Sequence, residues 1–194
     1  MRTALIESYI RQLRASFGPV KTPVAEEELR VLYDAKDYAG MIRHIQGVLR
    51  LDMKVRLGLV NKGGLDAPAW VERPKPMPIY GSAAFRQTIV IIYLRKSFLR
   101  DGTFEEVVLA VAHELCHIVL DAIGHTLADK EEAVDLTAML LGFRDFYTTG
   151  CQTVRARKSS WLDWLCGNES YQIRKHGYLS FDEVRHAATY MTFR

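Results

Sequence analysis

His113, Glu114 and His117 are the residues of this 194-residue chain whose types and spacing best suit chemistry. On a helix, positions four apart lie one turn apart on one face. Two neutral imidazoles so placed reach one ion at the roughly 2.0–2.1 Å typical of Zn–N bonds. Glu114 falls about 100° further round. That angle keeps it from joining the histidines as a ligand but lets it reach a water held by the ion. Zinc lowers the pKa of such a water toward ~7, where a carboxylate can take its proton. The pattern predicts a zinc site with His113 and His117 as ligands and Glu114 as the general base of a hydrolysis.

The elements around these residues must hold that face in place. Thr103 and Glu106 form a T-x-x-E capping box, the apolar run Val107 to Ala112 follows, and Gly124 stands after HELCHIVLDAI as a C-terminal stop. Val108, Val111, Leu115, Ile118 and Ala122 make an apolar stripe opposite the histidines, which would pin the helix by burial. A second helix is expected from about Asp129, which has capping-box spacing to Glu132, through Ala133, Leu136, Leu140 and Leu141 to about residue 147. Upstream, helical spacing appears over residues 3–16 (Leu5, Tyr9, Ile10, Leu13), 24–34 and 38–49. Residues 52–60 alternate as a half-buried strand, with Met53, Val55, Leu57 and Leu59 on one face. Residues 88–94, TIVIIYL, read as a second strand, and the Gly- and Pro-rich stretch 61–82 as a long loop or irregular hairpin between the two. Ser180 and Glu183 cap a last short helix over 181–191, after a tail with a basic run (Arg155, Arg157, Lys158) and two tryptophans, Trp161 and Trp164. His44 and His186 read as ordinary surface or packing histidines.

Composition sets the class. Hydrophobic residues make up 48% and charged residues 25%, which suits a globular chain with a core of ordinary size. The formal charge of +3 is too close to neutral to argue for nucleic acid or an anionic membrane, so neither is expected as a partner. Glu7, Arg11 and Arg14 interrupt the N-terminus before any signal-like apolar run, and no stretch nears the ~20 apolar residues of a membrane span, so a cytoplasmic protein is expected. The three cysteines, Cys116, Cys151 and Cys166, include no CxxC pair and read as free thiols. A single domain over 1–194 is expected, with a helical N-terminal segment (1–50), a catalytic core (51–147) and a helical C-terminal cover (148–194).

VVLAVAHELCHIVL resembles the active-site helix of zincin metallopeptidases. The metzincin pattern fails, because Leu120 and Ile123 stand where that subgroup has Gly and His. EEAVDLTAMLLGF is similar to the second helix of gluzincins, where a ligand Glu is followed four residues on by an Asp that supports a ligand histidine. The resemblance covers roughly residues 86–147 and is nearest to compact cytoplasmic gluzincins that cleave phage repressors. It implies His113, His117 and Glu131 as zinc ligands, Asp135 behind them, and Ala138 where the two helices approach. The 14-residue interval from His117 to Glu131 is short for gluzincins, and it leaves Asp135, Glu132 and His125 open as alternative third ligands. GGLDAPAW resembles a motif of peptide deformylases, but no Cys precedes Cys116 to serve as their ligand. SprT-like proteases need a His-Gly ligand motif, and His125 is followed by Thr126.

The expectation is an α+β, zincin-like fold: a small mixed sheet, an HExxH helix and a second ligand-bearing helix, with N-terminal helices packed on the sheet. Its activity would be zinc-dependent peptide-bond hydrolysis of a protein or peptide substrate. The alternative is a zincin-like regulatory or binding module that holds the metal without turnover. Tyr171, His176 and Tyr178 are candidate donors to a transition-state oxyanion. The strand over 88–94 stands where zincins keep the edge strand that pairs with substrate.

Overall fold

A computed structural model describes residues 2–61, 67–156, 171–175 and 177–193. Helical spacing in the first fifty residues becomes α1 (Thr3–Phe17), α2 (Glu26–Asp34) and α3 (Tyr38–Val48). α1 buries Ile6, Ile10 and Leu13, an i, i+4, i+7 stripe. Leu5, expected on that stripe, is exposed, since one residue from Ile6 is about 100° round the helix.

The sheet contains β1 (Lys54–Val60), β2 (Ala69–Glu72) and β3 (Ile89–Arg95), in the order β1-β3-β2. β3 pairs parallel with β1 and antiparallel with β2. Val90, Ile92 and Leu94 of β3 are fully buried while their neighbours are not, the period-two pattern of a strand packed on one face. β3 is therefore central, so the strand over 88–94, whose edge or inner position the sequence leaves open, is not an edge among the described residues. The edge next to the HExxH helix is β2, which lies within the stretch expected to be a long loop or irregular hairpin. Its register sets Trp70 opposite Tyr93, and the rings stack with centroids 5.1 Å apart.

Two short helices follow the strands: α4 (Ala83–Gln87), capped by the Ser82 hydroxyl, and α5 (Lys96–Asp101) after β3. Then comes α6 (Phe104–Ala122), with both halves of the Thr103–Glu106 capping box formed. Its stripe of Val108, Val111, Leu115, Ile118 and Ala122 is buried as expected, and so are Ala112, Cys116 and Leu120 on other sides. α6 runs through the centre of the molecule, touching α2, α3, α7 and α8 and the strand β2. It ends in a Schellman turn: Gly124 has φ +62°, and the His125 N–H donates to the Leu120 carbonyl at 2.9 Å.

The second helix departs from expectation at both ends. α7 (Glu131–Ala138) starts after Lys130, which makes no side-chain cap, because consecutive turns from His125 to Lys130 take up the chain first. Asp129 thus lies in the turn and caps nothing. A π-helical stretch (Met139–Phe143) then leads to a separate helix, α8 (Arg144–Gly150). The break is at Gly142, with φ +113°. There the segment before α2 crosses: the Val24 N–H donates to the Gly142 carbonyl at 3.0 Å, and a Cβ on Gly142 would sit 2.8 Å from the Thr22 carbonyl oxygen.

The tail expected to be helical is mixed. β4 (Gln152–Ala156) and β5 (Tyr171–Lys175) pair antiparallel before α9 (Phe181–Phe193). Ser180 and Glu183 form the expected capping box of α9, with Ser180 N–H to Glu183 Oε2 at 2.9 Å and Glu183 N–H to Ser180 Oγ at 3.3 Å. Arg157, Lys158, Trp161, Trp164 and Cys166 lie outside the described residues. Among the described residues the architecture is α+β, and no helix is long and apolar enough to cross a membrane.

Candidate metal centre

α6 and α7 form the antiparallel pair that brings the candidate ligands together. Thirteen residues separate His117 from Glu131 in the chain, and the Schellman turn and the turns after it use most of them. The first turn of α7 therefore lies against the His113–His117 face. His113 Nε2 lies 3.2 Å and His117 Nε2 3.3 Å from the same oxygen, Glu131 Oε2. The ligand atoms of these three residues all fall within 4.8 Å of one another. With bonds of about 2.1 Å, two corners of a tetrahedral zinc site lie about 3.4 Å apart. The two contacts to Glu131 match that edge, so the donor set fits a zinc ion in both atom type and separation.

The other candidates for third ligand are held elsewhere. Glu132 pairs with Arg2. His125 Nδ1 accepts from the Leu127 N–H at 3.1 Å, and its ring stacks on Phe17. Asp135 sits behind His113, with Oδ1 2.8 Å from His113 Nδ1.

Asp135 is a fully buried carboxylate with four partners. Besides His113, its Oδ1 accepts from the Tyr147 hydroxyl at 2.8 Å. Oδ2 accepts from the main-chain N–H groups of Tyr178 at 2.6 Å and Leu179 at 3.2 Å. Gly177 allows this close approach: its φ is +84°, and a Cβ there would lie 2.9 Å from Asp135 Oδ2. The tail is thus fastened to the back of the site. The Tyr178 ring stacks on His113 with centroids 5.5 Å apart, so of the three tail candidates Tyr178 reaches the site. His176 and the Tyr171 side chain lie outside the described residues.

Protonation separates the two histidines. Burial alone would lower His113, but hydrogen bonds to Asp135 and Glu131 override it and raise its pKa to about 10. Burial and the charge on His113 push His117 down to about 4. Without metal the two shifts favour a charged His113 beside a neutral His117. Hydrogen bonding to His113 holds Glu131 below the usual carboxylate range, so it stays anionic. Burial pushes Glu114 up to about 7, against the lowering effect of the His113 charge. The Val71 main chain also acts on the Glu114 carboxyl and lowers it, so β2 lies beside this residue.

Two residues near the site had no signal in the sequence. Arg73, just past β2, pairs with Asp121 one turn beyond His117, and its charge acts on both Glu114 and His117. Tyr147 comes from α8, across the helix break. Cys116 and Cys151 are buried free thiols, and burial raises Cys116 far out of the thiolate range. His44 and His186 pair with Glu28 and Glu7, away from the centre. Compared with known proteins, the chain matches no family model, no curated protein and no solved structure.

Proposed function

We propose that this chain is a zinc-dependent metallopeptidase with a zincin-like arrangement, in which α6 carries HExxH, α7 the third ligand and β2 the substrate-facing edge. The observation that carries the proposal is the convergence of His113 Nε2, His117 Nε2 and Glu131 Oε2 beside a carboxyl held near neutrality. His113, His117 and Glu131 would hold the ion. Zinc bound there supplies Lewis acidity and an acidified water.

The protein's own groups do the rest. Glu114, with a pKa of about 7, can take a proton near neutral pH and return it to the leaving amine. Asp135 fixes the orientation of the His113 ring by accepting from Nδ1, which turns Nε2 outward. Among the described residues β2 pairs on one side only, so its other side is free to take an extended peptide by main-chain hydrogen bonds. The protein operates on peptide bonds under this reading, without nucleic acid or membrane as partner.

The test is metal analysis with a peptide-library cleavage assay on the wild type and Glu114→Gln. One zinc per chain is expected in both proteins. Cleavage should fall by about 10²–10⁴ in the variant, the usual loss when a general base is removed. Full activity of Glu114→Gln would overturn the mechanism. Zinc without cleavage in the wild type would instead favour a binding or regulatory module.

A further inference from the structure

On the side of α6 away from the histidines lies a second concavity of about 840 Å³. Val119 lines it, about 200° round the helix from His117. The volume falls within the roughly 300–1,000 Å³ of small-molecule sites. Its walls come from three parts of the chain: Phe17 at the end of α1, Val48 and Leu49 at the end of α3, and Val119 and Leu141. These are apolar, and Leu49 and Val119 are themselves nearly buried. Two large apolar side chains at its edge, Tyr80 and Ile123, are well exposed.

The charge at this site has one sign. Lys21 and Arg50 line the cavity, and no carboxylate does among the described residues. Both cations are exposed, and no ion pair to a described carboxylate neutralises either of them. Arg50 is held in place by its backbone: φ is +53°, and its carbonyl accepts from the Tyr80 hydroxyl at 2.7 Å. An open, largely apolar concavity lined by two cations and no carboxylate suits an apolar body ending in an anionic head.

The geometry points to a binding site for an amphiphilic carboxylate, such as a medium-chain fatty acid, between α1, α3 and α6, with Lys21 and Arg50 taking the head and Phe17, Val119 and Leu141 the chain. This site is independent of the metal centre and of any peptidase activity. It needs no co-reactant, since the event is binding alone.

Calorimetric titration of the full chain with decanoate, below its micellar range, tests the assignment. Decanol serves as the same chain without charge, and acetate as the head alone. Saturable binding of one decanoate per chain is expected, about tenfold or more tighter than decanol, with none for acetate. Lys21→Gln with Arg50→Gln should remove that advantage and leave decanol binding unchanged. Ser16→Trp, at an exposed position on the cavity wall, should block both ligands, with thermal unfolding confirming that each variant is folded. No saturable decanoate binding overturns the site. Equal affinity for decanol, or no effect of the double variant, overturns the assignment of the head. A dimer that Ser16→Trp dissociates, with no decanoate bound, assigns the cavity to a second copy of the chain and overturns the proposal equally.

Discussion

His113 and His117 present the same atom to the same carboxylate, one turn apart on one helix, yet the protein treats them differently. Behind His113 stands Asp135, braced by Tyr147 and by two main-chain N–H groups of the tail. Behind His117 the buried Nδ1 has no hydrogen-bond partner among the described residues. One imidazole is thus braced from behind, while the other has only its helix and the shared Glu131 contact. A ring locked by a charge-assisted bond keeps its angle. A ring held by packing keeps only its place. The braced half of the site should therefore respond to substitutions far from the metal, and the other half should not.

The largest effect is expected at the hub of the braced side. Asp135→Ala leaves a buried imidazolium, a hydroxyl and two N–H groups without their acceptor. It should cost about 3–5 kcal/mol in urea unfolding of the chelator-treated protein. A loss below 1 kcal/mol would show that the brace carries no weight. Asp135→Asn keeps the shape and removes the charge, and zinc affinity should fall about 10–100-fold in competition with a chelating dye. Equal affinity would erase the distinction between the two histidines. Tyr147→Phe removes one of the four donors and should cost about 1 kcal/mol of stability.

The smallest effect should appear in acid. Burial alone would raise Glu183, but hydrogen bonds from Arg2 and Ser180 draw it from the usual 4.5 down to about 2. A depressed carboxyl contributes stability that is complete above the ordinary value and is lost as pH falls toward the folded one. Arg2 also pairs with Glu132, next to Glu131, so this contact ties the tail to the braced side. Between about pH 4.5 and 2, the thermal midpoint should fall more steeply in the wild type than in Glu183→Gln. Parallel curves would remove Glu183 from the bracing.

Much of α6 was legible because its signals are local. The capping box, the apolar stripe and Gly124 act within a few residues of one another, and each is formed. The choice among Glu131, Glu132 and Asp135 was not legible. All three lie within five residues on one short helix, and about 100° of rotation per residue decides which one faces the histidines. The phase depended on the turns from His125 to Lys130, whose hydrogen bonds follow no motif in the chain. β2 was hidden for another reason. It is four residues long, and its place in the sheet is set by pairing with β3, from Ala69 opposite Leu94 to Glu72 opposite Ile91.

Residue spacing alone was enough to put two imidazoles and a carboxyl on one capped helix, because helical geometry repeats over four residues and needs no partner. Packing assigned everything that depends on distance between elements. It set Glu131 forward and Asp135 behind, brought Tyr147 across the break at Gly142, and laid β2 beside Glu114. Those relations are made by burial and long-range hydrogen bonds, which act between chain segments that no local pattern connects.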